Sequence, residues 1–209
     1  MANNLRFSSF PLIIFLFIGT VLFGANKLPA DEVVKKIRSS ILAPEGHRFD
    51  VLWTYEYDDD IWPGEGIMKI LGRDYLKLTL DYQQILIKFD TLFTRYEKTD
   101  QVVADWFDRN DPANFFSILL GEMPGFFEDE VEILSEMQIA VTLRSETMVG
   151  FETLRMIVNR ETWLPNSITA EAGEDIRVNV QIRETAPLAN PLELTGGVLT
   201  GSEFIDLRE

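Results

Sequence analysis

Few residues of this chain have the chemistry to carry a reaction. His47 is the one histidine. A hydrolase triad needs a base, and His47 opens a strand with no nucleophile pattern around it. There is no cysteine, which excludes thiol catalysis, thiolate metal sites and a disulfide framework. Asp58-Asp59-Asp60 clusters carboxylates. A calcium loop, however, alternates its oxygen ligands and ends on a distal Glu, so these acids read as a solvated hairpin tip. Glu128-Asp129-Glu130 and the run from Glu171 to Asp175 could supply paired acids. Nothing in the sequence brings a second acid together with a sugar-binding aromatic platform, as a glycosidase requires. The glycines are scattered and form no phosphate cradle. The chemistry-bearing residues therefore give no enzyme, no metal and no cofactor. They leave apolar binding as the function to look for.

Composition narrows the partners. The 209 residues are 46% hydrophobic and 25% charged, with formal net charge −15. Nucleic acid needs a basic surface, and anionic lipid headgroups repel an acidic one. The plain reading of the charge is solubility. Arg6 and Lys27 are the charged residues of the first 30. Between them Phe10–Gly24 is an apolar run, shorter than the roughly 20 residues of a span. With small residues at Ala25 and Ala30, positions 1–30 read as a secretory signal peptide, an uncleaved membrane anchor being the alternative. Its removal leaves a net charge of about −17. Residues 31–209 then form one exported domain, and periplasm is the expected location.

The elements that would build a binding face follow from periodicity. Residues 31–43 place Val33, Val34, Ile37 and Ile41 on one helical face, stopped by Pro44 and Gly46. From His47 the period becomes two. Phe49, Val51, Trp53 and Tyr55 share a strand face, followed by the turn-rich stretch 58–66. Met68 and Ile70 mark a second strand. In 74–89, Leu76, Leu78 and Leu80 alternate with polar residues, then Ile85, Ile87 and Phe89 do so after a Tyr82-Gln83-Gln84 turn. Residues 110–122 read as an oily helix containing Phe115, Phe116, Leu119 and Leu120, with Asp111 as cap, Pro112 in the first turn and Gly121 at its end. Met123–Phe127 reads as a hydrophobic loop. The β pattern resumes with Val141, Met156, and the clearest strand, Ile176, Val178, Val180 and Ile182. Residues 184–200 read as loop.

About ten antiparallel strands and two short helices must curl and be covered. The fold expected is mainly β with α: an incomplete antiparallel β-barrel, a curved sheet closed by lid helices around a hydrophobic cavity. The residues expected to line that cavity are those on the inward rows. They are Val51, Trp53, Tyr55, Met68, Ile70, Leu78, Leu80, Ile87 and Phe89 on the first strands. Phe115, Phe116 and Leu119 come from the helix, and Val141, Met156, Val178 and Val180 from the later strands. A sealed core is the alternative for any one of them.

The order of these pieces resembles the bacterial periplasmic outer-membrane lipoprotein carrier family, the LolA-like proteins. Pro63-Gly64-Glu65-Gly66 opens the second strand and Arg73 stands at its end. The helix after Asp111-Pro112, the Leu164-Pro165 turn and the closing Phe204-Ile205-Asp206-Leu207-Arg208 complete the match across 31–209. The resemblance implies a carrier that takes acyl chains of lipoproteins from an inner-membrane transporter to an outer-membrane receptor. That receptor is anchored through an N-terminal cysteine, so a chain without cysteine resembles the carrier. The resemblance also implies a lid contact for Arg73, a solvated turn arginine being the alternative. Other functions left open are a protein-binding sensor or scaffold on the same half-barrel, and a secreted hydrolase.

Overall fold

The computed structural model describes residues 30–121, 126–146 and 149–208. Positions 1–29 of the segment read as a signal peptide, 1–30, and the Met123–Gly125 part of the expected hydrophobic loop lie outside them. The described residues build one twelve-stranded sheet, in the order β12-β6-β5-β4-β3-β2-β1-β11-β10-β9-β8-β7. The elements run α1 (Ala30–Ile41), β1 (His47–Tyr57), β2 (Asp60–Leu71), β3 (Tyr75–Leu80), β4 (Gln83–Lys88), β5 (Thr91–Tyr96) and β6 (Gln101–Trp106). After α2 (Phe115–Leu120) come β7 (Phe126–Ile133), β8 (Gln138–Ser145), β9 (Thr153–Asn159), β10 (Pro165–Ala172), β11 (Ile176–Pro187), α3 (Leu192–Thr195) and β12 (Glu203–Asp206). Every pairing is antiparallel except β12 on β6.

The sheet is open, its edges β12 and β7, and it is curved rather than closed into a barrel. Alternation explains the curl. Leu76 and Leu78 on β3, Ile87 on β4, Val141 on β8, Met156 and Val158 on β9 and Val180 on β11 are all at most 2% exposed on a shared core. A flat sheet with strands about 4.8 Å apart would spread that row too far for two short helices to cover. Helix α1 lays Val33, Ile37 and Ile41 into the trough, and all six residues of α2 are buried. The two helices are tied together by Arg38, whose guanidinium donates to the Gly121 carbonyl at 2.7 Å.

Three local expectations need correction. The oily helix is six residues, not thirteen. Asp111 and Pro112 belong to a turn in which the Asp111 carboxylate accepts the Ala113 N–H at 2.9 Å, and Asn114 caps the helix by accepting the Phe116 N–H. The stretch 58–66 is not a long turn. Only Asp58-Asp59 turn, with Asp58 at φ 51°, and 60–65 continue β2, pairing with β1 alone because β3 joins at Gly66. Pro63 is tolerated on that edge, where no ladder N–H is needed. Finally, 184–200 is not plain loop. β11 runs to Pro187, and Leu188, Leu194 and Leu199, each at most 8% exposed, pin a strap to the sheet. Leu199 closes a second small core with Leu86 and Val102.

Candidate functional site

The groove arises where the helices stop covering the trough. Beyond Gly66, β2 has no partner on the β3 side, so the β1–β2 hairpin projects as a two-stranded ribbon. Gly66 must be a glycine, since a Cβ there would lie 2.0 Å from the Thr79 carbonyl oxygen. Gly64 lets the Tyr82 ring approach, 3.0 Å from where its own Cβ would be. Beneath the ribbon and beside α2 lies a groove of about 670 Å³, within the range of pockets that enclose a small ligand.

Its floor is aliphatic: Leu78, Leu80, Ile85 and Val178. Its walls are aromatic. Trp53 stacks on Phe116 with ring centroids 5.8 Å apart and meets Phe115 edge-on at 5.2 Å. Phe115 in turn meets Phe151 at 6.3 Å. At the mouth Trp62 stacks on Tyr55 at 5.6 Å, and Trp62, Tyr82 and Tyr96 stand about 40% exposed. Burial pushes the Tyr82 phenol pKa up. The polar residues of the lining are Asp111 and Asn114, from the turn before α2, and Gln83 on β4.

Of the residues expected on the cavity, Trp53, Tyr55, Leu78, Leu80, Phe115, Phe116 and Val178 line this groove. Val51, Met68, Ile70, Ile87, Leu119, Val141, Met156 and Val180 instead pack in the core, each at most 2% exposed. The apolar faces of α1 and α2 fill the middle of the trough above them. Phe89 is misassigned. It is 49% exposed, at φ 55° in the β4–β5 turn, with its ring edge-on to Tyr75; the left-handed backbone ends the alternation at Lys88. Arg73 is exposed and borders α1, beside Lys35, Arg38, Ser39 and Leu42. Trp62, Tyr82, Ile85, Tyr96 and Phe151 were missed. Ile85 is on an inward row; Tyr82, Tyr96 and Phe151 sit in turns or at strand ends, where alternation gives no direction, and Trp62 lies on the part of β2 whose Pro-Gly content reads as turn.

The groups with reaction chemistry lie elsewhere. The Nε2 atom of His47 is 2.8 Å from the Ser40 carbonyl oxygen, fastening the end of α1 to β1. Asp58-Asp59-Asp60 form the exposed ribbon tip. Among the described residues no three His, Asp or Glu side chains come together as a metal site.

No protein-family model matches this sequence, and no curated protein matches it. The fold itself is a known one. A crystal structure of an uncharacterized conserved protein from Thermus thermophilus superposes with a TM-score of 0.57 at 8% identity, covering 85% of this chain and 98% of the other. A LolA superfamily protein from Nitrosomonas europaea gives 0.43 at 8% identity, over 78% and 94% of the two chains. The Pseudomonas aeruginosa MucA/MucB complex gives 0.44 at 12% identity, over 78% of this chain and 58% of that one. At such identities the likeness is one of fold alone. The open, curved antiparallel sheet with few helices expected from the sequence is the fold observed.

Proposed function

We propose that this chain is an exported, non-enzymatic binding protein that takes the acyl chain of a lipid or lipoprotein into the groove beside α2. In this reading residues 1–30 direct export to the periplasm, and the protein carries its guest from an inner-membrane donor to an outer-membrane acceptor. The observation behind it is the groove itself: an open, mostly apolar trough of about 670 Å³ with aliphatic floor and aromatic sides. An apolar guest is driven in by removal from water, at roughly 0.8 kcal/mol per buried methylene. About eight methylenes contribute roughly 6 kcal/mol before the cost of ordering the guest. That suits a carrier, which must also release.

In the same reading Arg73 tunes release. It borders α1, so Arg73→Leu changes the rate of lipoprotein loading or unloading in a transfer assay; unchanged transfer removes Arg73 from the account. No helix among the described residues is long and apolar enough to cross a membrane. Native mass spectrometry of protein purified from the producing cells tests the main proposal. Co-purifying lipid or lipopeptide is expected. An empty chain held by a stable protein partner would instead make it a scaffold.

A further inference from the structure

Charge in the lining of the groove is one-sided. Asp111 is the one acidic side chain in its lining, and among the described residues no Lys, Arg or His lines the wall. One carboxylate oxygen of Asp111 accepts the Ala113 N–H, and no basic side chain pairs with it among the described ion pairs. Facing the same space are the partly exposed rings of Trp62, Tyr82 and Tyr96. Aromatic faces attract organic cations, more strongly as both are desolvated. A neutral or anionic head at this mouth would meet a carboxylate with nothing to offset it. A cationic head would find a counter-ion and ring faces together.

We infer that the groove selects an amphiphile carrying a positive charge at the head of its apolar tail, with Asp111 as counter-ion and the Trp62, Tyr82 and Tyr96 rings around the cation. This rests on the groove being an acyl site and adds the class of head group. Asp111 and the aliphatic Leu78, Leu80 and Val178 line the same groove, so one guest can set its charge against the carboxylate and its tail against the aliphatic residues. The ligand class is an alkylammonium-like lipid or a lipopeptide with free basic groups.

The experiment uses dodecyltrimethylammonium, dodecyl maltoside and dodecyl sulfate, each below its micelle concentration, followed by tryptophan fluorescence at 0.15 M salt. The tails are equal, so differences report the head. Screening beyond about 8 Å at this salt suppresses the general attraction of an acidic protein for cations. The cation should bind about tenfold more tightly than the maltoside, and the sulfate more weakly than both. Asp111→Asn keeps an oxygen for the Ala113 N–H and should bring the cation to the maltoside's affinity. Asp59→Asn removes the same charge at the ribbon tip, outside the lining, and should leave the preference intact. Equal binding of all three ligands overturns the head-group selection and leaves the acyl groove standing. Equal loss of preference in both variants also overturns it, reducing the effect to net charge. Binding of none of them removes the acyl groove itself.

Discussion

Val178 and Val180 are the same residue type on the same face of β11, two positions apart. Val178 lies opposite Tyr55 and Ala170, and Val180 opposite Trp53 and Ile168. Both are at most 2% exposed, so exposure does not separate them. Only Val178 borders the groove. Enlarging each to Phe therefore asks whether empty space exists where the structure puts it. At Val180 the ring must enter a packed core, which costs about 1–3 kcal/mol. For a chain of this size each kcal/mol lowers Tm by roughly 2–4 °C, so Val180→Phe should melt about 2–12 °C early. At Val178 the ring can extend into open volume, and Tm should stay within about 2 °C of the parent. The same ring then occupies the space of about three methylenes of a guest. That is about 2.4 kcal/mol of lost burial, or roughly 50-fold weaker binding of a dodecyl ligand. Scanning calorimetry and tryptophan fluorescence titration measure the two quantities. Equal destabilisation by both substitutions, or undiminished binding by Val178→Phe, would refute the reasoning, because the groove would then be filled or irrelevant.

Three further outcomes follow from the local geometry. Asn114→Ala removes the side-chain cap of α2, should cost about 1 kcal/mol, and should lower Tm by roughly 2–4 °C, measured by calorimetry. Gly150→Ala puts a Cβ 2.4 Å from the Pro112 carbonyl, at φ 81°, where the Phe151 N–H donates to Pro112. It should displace the turn carrying Asp111, and fluorescence titration should show weaker dodecyl binding together with a lower Tm. The Asp206 carboxyl is held down to about 2 by hydrogen bonds from the Arg208 guanidinium and backbone N–H. Its folded value is below the ordinary 3.8, so its contribution is present above about pH 4 and lost as pH falls through 2. Asp206→Asn should flatten that part of the acid stability profile in denaturant melts; an unchanged profile places the ion pair outside the folding equilibrium.

Strands such as β3, β9 and β11 were legible because each has one wetter and one dry face. Leu76-Leu78-Leu80 and Ile176-Val178-Val180 say so in period two, and the roughly ten such segments read from the sequence, against the twelve strands observed, already imply a curled sheet. The half-barrel followed. The groove was only half legible. Period two tells which face Val141 or Met156 points to, but not whether a helix or a void lies above it. That depends on where α1 and α2 stop, and α2 is shorter than Asp111-Pro112 suggests because Asn114 offers a better cap. The mouth was hidden for another reason. Trp62 sits in a Pro-Gly stretch that reads as turn, and Tyr82, Tyr96 and Phe151 lie at turns or strand ends, where no alternation gives direction. The strap over Leu86 was missed because three leucines spaced through 188–199 carry no period at all.

The contact between guest and groove can be read directly. With the Ile, Leu and Val methyls labelled with carbon-13 and an unlabelled dodecyl ligand bound, intermolecular NOEs should connect the ligand methylenes to Leu78, Leu80, Ile85 and Val178, and not to Val141, Val158 or Val180. Ligand NOEs confined to methyls outside the groove, or saturating ligand that leaves the Leu78 and Val178 methyls untouched, would contradict the account.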